Sequence, residues 1–239
     1  VTPHRVPRLL DLFCGAGGAA MGYSRAGFDV VGVDIKPQPH YPFEFHQADA
    51  LTYWPVSVLT GERLEFDAIH ASPPCQAYSH TQRLHGKDHP ALIEPTRRVL
   101  AATGLPYAIE NVEGAPLNDP VMLCGSMFGL EVKRHRLFEA TFPMLAPQCQ
   151  HHTWRNKYPT HARKDKAQFS PVVHVYGTGG GSGKDIDLWR RAMDVPWMQT
   201  KSEISEAIPP AYAEFIGRHL LDHLELFCHR HNNERVGER

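Results

Sequence analysis

The sequence predicts an α/β protein built on a doubly wound sheet, and three observations carry that expectation. Short apolar runs recur at residues 8–13, 29–33, 66–71 and 106–109, the length and texture of buried strands. The first run passes directly into a glycine turn, Cys14-Gly15-Ala16-Gly17-Gly18, and then into helix-like spacing from Ala19 to Ala26 closed by Gly27. Residues able to do chemistry stand just past the ends of these runs, at Asp34, Cys75 and Glu110. Open α/β sheets hold their ligands at that edge.

The chain has 239 residues, 42% of them hydrophobic, enough for one large domain with a small appendage. No apolar run approaches a membrane span, and the start lacks a signal-like apolar segment, so a cytoplasmic protein is expected. Five cysteines at irregular spacing argue against a disulfide framework and for a reducing compartment. A formal net charge of -1 means that any nucleic-acid partner needs a local basic face.

Each element follows from local texture. The strand at residues 8–13, the glycine turn and the helix form a nucleotide-binding βα unit, although the spacing is not G-x-G-x-x-G. The second strand ends in Asp34, whose carboxylate suits a ribose diol. Residues 43–47 read as a third strand, followed by Ala48-Asp49; Asp49 is placed either to receive an adenine amino group or simply in solvent. Residues 52–64 are connector and helix. Residues 76–89 are polar, with Arg83, His85 and Lys87, and suit a loop over a site. Helical spacing covers residues 90–102, with Leu92, Ile93, Val99 and Leu100 on the apolar face.

Arg134 and Arg136, two apart before the strand at Leu137-Phe138, point to one face and so toward one pocket; an exposed edge strand would look similar. Beyond Pro143 the texture turns polar. Arg155, Lys157, Arg163 and Lys164 are interleaved with Trp154 and Tyr158, the best candidate for a phosphate-contacting surface. Cys149, His151 and His152 raise the question of zinc, but no C-x-x-C or H-x3-H spacing completes a site, so no metal is expected. Residues 172–176 alternate like a strand, and 185–193 read as a helix. Thr200 with Glu203 forms a capping box. A last helix is expected from Tyr212 to about Cys228, with a frayed charged tail.

The chemistry centres on Ser72-Pro73-Pro74-Cys75-Gln76. Two prolines end the strand and stiffen the turn that presents the cysteine. A thiolate is a strong nucleophile near neutral pH, whereas a lone cysteine in a turn is more often a small buried hydrophobe. Glu110, at a strand end among apolar residues, should have a raised pKa and could donate a proton.

In order, the chain presents Asp11-Leu-Phe-Cys-Gly-Ala-Gly-Gly18, Asp34, Asp49, Pro74-Cys75-Gln76, Glu110-Asn111-Val112 and Arg134-His-Arg136. This series resembles the C5-cytosine DNA methyltransferase family over residues 8–140 and again over 205–220. The resemblance implies a Rossmann-like methyltransferase sheet with a small irregular target-recognition segment, divided as 1–142, 143–198 and 199–239. It implies S-adenosylmethionine held by Phe13, Cys14, Gly15, Ala16, Gly17, Gly18, Asp34, Ile35, Asp49, Ala50, Pro73 and Ala207. It makes Cys75, Glu110, Arg134 and Arg136 catalytic, with Arg136 on the base's O2 side and Arg134 organising Glu110. Gln76, Ser79, Arg83, Asn111, Arg155, Lys157, Arg163 and Lys164 would meet double-stranded DNA. A monomer in a bacterial or phage-infected cell is the family expectation. Two departures stand out: Val132 replaces a usual glutamine, and the late Gly-Asn-Ser/Ala-Val-Pro motif is reduced to Ser205-Glu-Ala-Ile-Pro209. A relative that modifies tRNA with the same residues is the nearest rival. A non-catalytic DNA-binding relative would be expected to lack Cys75 or Glu110, and both are present.

Overall fold

The computed structural model describes residues 5–53, 66–76, 90–150, 158–159, 169–170, 172–175 and 185–237. Most of the 76–89 loop, the basic run at 151–157 and 160–168, and the connector at 54–65 lie outside those residues.

Seven strands form the central sheet: β1 (Arg8–Leu12), β2 (Asp29–Asp34), β3 (Glu44–Gln47), β4 (Ala68–Ala71), β5 (Tyr107–Asn111), β6 (Val121–Leu123) and β7 (Arg136–Ala140). Their order is β3-β2-β1-β4-β5-β7-β6. The first five are parallel, and β7 joins β5 antiparallel, followed by β6. The chain moves outward from β1 through β3, then crosses to β4 on the other side of β1. That reversal opens a crevice at the carboxyl ends of β1 and β4.

Both faces of the sheet are covered, as buried parallel strands require. Alternation along each strand divides the core in two. Leu9, Val30, Ala68 and Ala108 meet Ala20 and Tyr23 of helix α1 (Gly18–Ala26) and Tyr212, Ile216 and Leu220 of the last helix. Leu10, Leu12, Val31, Val33, Ile69, Ala71 and Ile109 meet Leu100 of helix α2 (Ile93–Thr103) on the opposite face. A third cluster joins Ala16 and Val132 to Val173, Val175, Val195, Met198 and Trp189, the last carried on helix α3 (Ile186–Met193). The described part of the 143–198 segment therefore shares a core with the glycine turn.

Helix ends follow the sequence signals. Gly27 closes α1 at φ 114°, and Asp185 caps α3 by accepting from the Asp187 and Leu188 amides. Thr200 and Glu203 form the expected capping box of α4 (Lys201–Glu206). The last helix, α5 (Pro210–Gly237), is longer than expected at both ends. Pro210 suits the first helical turn, and no proline or glycine interrupts the chain between Gly217 and Gly237. Where an alternating strand is expected near 172–176, only an isolated bridge from Val173 to Val132 forms among the described residues.

Candidate active site

Register alone assembles the site. Leu12 pairs with Val33 on one side and Ala71 on the other, and Ala71 pairs with Ile109. One residue further along these strands stand Phe13, Asp34, Ser72 and Glu110, a single row along the carboxyl edge. The Cys75 turn follows directly from that row.

Glu110 is the buried acid of the row. Its Oε1 accepts from Arg136 Nε at 3.0 Å. Burial pushes the carboxyl pKa up, while the positive charges of Arg136 and Arg134 and a hydrogen bond donated by Ser72 hold it down; the net direction is upward. Cys75 is half-buried, and its thiol is likewise raised by burial, with Arg136 drawing it down and Glu110 pushing it up. The thiol, the acid and both arginines thus share one electrostatic environment.

The two arginines divide their work differently from the sequence expectation. Arg136, not Arg134, pairs with Glu110, because the antiparallel register brings β7 against the end of β5. The buried Arg134 guanidinium donates to the carbonyls of Val175 and Ser205, and its own carbonyl accepts from Tyr212 Oη at 2.7 Å. Asn111 is also placed differently. It is 1% exposed, so its side chain is inside the protein rather than on a surface that DNA could contact. Its amide donates to the Pro73 carbonyl at 2.8 Å and so fixes the turn that carries Cys75.

Behind Glu110 runs a buried chain that the sequence did not announce. Tyr23 Oη lies 3.0 Å from His70 Nδ1, and His70 Nε2 lies 3.0 Å from Ser72 Oγ. Ser72 spends its proton on Glu110. His70 Nε2–H must then donate to Ser72, and Tyr23 must donate to Nδ1, which assigns the tautomer. Burial lowers the His70 pKa to about 3, so the ring is neutral.

At the carboxyl end of β1 the structure gathers several of the residues expected around a nucleoside. Asp34 Oδ2 accepts from the Gly15 amide at 3.1 Å and Oδ1 from the Lys36 amide at 2.9 Å, which orients the carboxylate at the strand end. Phe13 has φ 56° and Gly15 φ 49°; the Cβ that Gly15 lacks would face open space. Ile35, next to Asp34, is an apolar side chain left 65% exposed. Asp49 is exposed, with Oδ1 accepting from the Leu51 amide, beside buried Ala50. Cys14 and Ala16 are buried, Gly17 caps α1, and Gly18 packs on Ala207 and Ile208. Burial raises the Cys14 thiol, which makes it a packing group rather than a nucleophile. Trp197, which had no sequence signal, donates to the Ala16 carbonyl at 2.8 Å and holds the glycine turn from outside.

Of the residues expected against DNA, Gln76 is exposed beside Cys75. Ser79, Arg83, Arg155, Lys157, Arg163 and Lys164 lie outside the described residues.

Residues 7–115 match the C-5 cytosine-specific DNA methylase family. Together with the relatives below, this match supports the resemblance to the C5-cytosine methyltransferase family. Among its relatives, the Type II methyltransferase M.AquIA of Picosynechococcus is 25% identical over 242 residues, covering 85% of this chain and 90% of that one. The Type II methyltransferase M.FnuDI of Fusobacterium nucleatum is 32% identical over 85 residues, 35% of this chain, and this chain spans about a quarter of that relative. Among solved structures, Dnmt2 methyltransferase of S. pombe superposes with a TM-score of 0.60 at 14% identity, covering 92% of this chain and 99% of that one. The Spodoptera frugiperda DNMT2 mutant reaches 0.56 at 13% identity, over 90% and 99%. These likenesses identify a Rossmann-like methyltransferase fold.

Similarity to this family implies S-adenosylmethionine. The crevice fits it: an oriented carboxylate for a diol, an exposed apolar side chain beside it, and an open approach to backbone at Gly15. No helix among the described residues is long and apolar enough to cross a membrane.

Proposed function

We propose that this protein is a DNA (cytosine-5-)-methyltransferase that works through a covalent Cys75 adduct. The observation that carries the reading is the shared environment of Cys75, Glu110 and Arg136 at the sheet edge, one strand from the crevice beside β1.

The chemistry follows from the needs of the base. C5 of cytosine is a poor nucleophile. The Cys75 thiolate adds to C6, breaking the C5–C6 π bond and moving its electrons toward N3. Glu110 donates its proton or a hydrogen bond to N3, and burial keeps that carboxyl protonated to higher pH than usual. Arg136 holds the Glu110 carboxyl in position from one side, and Ser72 from the other. Bound S-adenosylmethionine supplies an electrophilic methyl group; Asp34 and the Gly15 turn would hold it. The resulting enamine carbon, C5, would take the methyl group as its carbon–sulfur bond breaks, the electron pair staying on sulfur. A base then removes the C5 proton, and the returning electrons expel Cys75 from C6.

A base stacked in duplex hides C6, so the target cytosine must be turned out of the helix. The 76–89 loop and the basic residues Arg155, Lys157, Arg163 and Lys164 are our candidates for backbone contacts, with a short recognition site of about two to four bases read by a few side chains. Double-stranded DNA is the proposed partner, met by a monomer in a bacterial or phage-infected cell. The Type II names of the relatives support a place in restriction–modification or in escape from it.

Methyl transfer from labelled S-adenosylmethionine to mixed-sequence duplex DNA and, in parallel, to tRNA tests this directly. The expected result is 5-methylcytosine at one short motif by bisulfite sequencing, abolished in Cys75→Ser while cofactor binding persists. Product on tRNA alone would reassign the substrate. Wild-type turnover in Cys75→Ser would end the covalent mechanism.

A further inference from the structure

Away from the crevice, three metal-binding side chains from distant positions converge. Cys124 Sγ, His135 Nε2 and Cys149 Sγ all lie within 4.8 Å of one another. The Cys149–His135 separation is 3.6 Å. Two ligands at the usual Zn–S and Zn–N lengths, set at a tetrahedral angle, stand about 3.6 Å apart. The surroundings are arranged as around a metal ligand. His135 turns Nε2 toward the sulfurs and Nδ1 toward Glu113 Oε2 at 3.3 Å, so a neutral ring donates from Nδ1 and keeps Nε2 as the electron-pair donor. Ser126 Oγ sits 3.3 Å from Cys124 Sγ and 3.5 Å from Cys149 Sγ, and it accepts from the Gln150 amide. Cys124 is fully buried and Cys149 half-buried, so the sulfurs are sheltered from bulk solvent.

We propose that Cys124, His135 and Cys149 bind a structural zinc ion. Two thiolates and an imidazole are a soft, mixed donor set that favours zinc over magnesium or calcium. Both thiols lose their protons on binding, and the ion's two positive charges balance the thiolates in their buried position. The fourth tetrahedral corner falls to water or a further donor. Spacing rules miss the site because its ligands come from three places: the end of β6, the residue between Arg134 and Arg136, and the chain leaving β7. The ion would staple those three together. It would hold the start of the polar segment against the strand that aims Arg136 at Glu110. This site does not depend on the methyl-transfer reading.

Elemental analysis of the full-length protein, purified reduced and without chelator, is expected to show about one zinc per chain. Cobalt exchanged into the site should give tetrahedral d–d bands and a near-ultraviolet thiolate-to-cobalt band. Cys149→Ser should lose stoichiometric zinc, whereas Cys75→Ser should keep it. Glu113→Gln, a change at an exposed carboxylate that leaves all three donors in place, should weaken zinc about 10- to 100-fold in competition with a chromophoric chelator. That variant keeps the test valid if Cys149→Ser fails to fold. The proposal is overturned if reduced wild-type protein offered zinc takes up less than about a tenth of an equivalent. It is equally overturned if cobalt binds without a thiolate band, if Glu113→Gln and Cys149→Ser hold zinc as tightly as wild type, or if Cys124 and Cys149 form a disulfide that after reduction still takes no metal.

Discussion

At the scale of single residues, the site depends on two protons with opposite preferences. In the mechanism we propose, methyl transfer needs Cys75 deprotonated and Glu110 protonated. Burial raises both pKa values, so the rate should climb with pH as thiolate forms and fall as Glu110 ionises. Ser72 is the handle that separates the two. It donates to the Glu110 carboxylate and so favours the ionised form. Ser72→Ala should raise the Glu110 pKa further. Because the buried thiol titrates above the carboxyl, the ascending limb of kcat/KM follows Glu110 and should move to higher pH, while the descending limb, set by Cys75, stays in place. An ascending limb that moves to lower pH would show that Ser72 is not the donor. The sequence made Cys75 and Glu110 legible because each stands just where an apolar run gives way to polar residues. It could not show which arginine meets Glu110, since that is set by the non-local register of β7 on β5. Nor could it show that Asn111 turns inward to Pro73, or that Cys149 has partners 14 and 25 positions earlier.

At the scale of elements, the fold depends on how closely α1 approaches α5. A Cβ added to Gly22 would fall 2.2 Å from the Pro210 carbonyl oxygen and 2.7 Å from Ala213 Cβ. The first of these is backbone and cannot rotate away. Alanine would gain about 1 kcal/mol of helix propensity but incur an overpacking cost of about 3 kcal/mol. Gly22→Ala should therefore lower stability by roughly 2 kcal/mol, seen as a Tm about 4–8 °C lower with unchanged helical content. An unchanged or higher Tm would mean that the helices do not cross this closely. Strands and caps were readable from local texture: β1, β2, the Gly27 cap and the Thr200–Glu203 box all form where expected. The far end of α5 was not, because a charged, polar tail reads as frayed while nothing in it actually breaks a helix.

At the scale of the whole molecule, the buried Tyr23–His70–Ser72 chain ties folding stability to the same groups that orient Glu110. His70 is fully buried, and its folded-state pKa falls from 6.5 to about 3. The unfolded chain takes up this proton near its ordinary value; the folded chain refuses it until far lower pH. The neutral ring's contribution is therefore complete above about pH 6.5 and is lost as pH falls, at about 1.4 kcal/mol per pH unit down to about pH 3. Asp11 and Glu110 act in the opposite sense, because their raised pKa values make the folded state bind protons first as pH falls. Acid stability of the wild type alone would mix these contributions, so the comparison must isolate the ring. His70→Gln removes the titrating group and keeps polar atoms in the chain. The variant should be less stable at about pH 7.5, and its deficit should shrink by about 1.4 kcal/mol for each pH unit between about 6 and 4. Urea unfolding of both proteins across that range measures the gap. A gap independent of pH would mean that His70 binds its proton equally well in both states, and the buried neutral chain behind Glu110 would have to be abandoned.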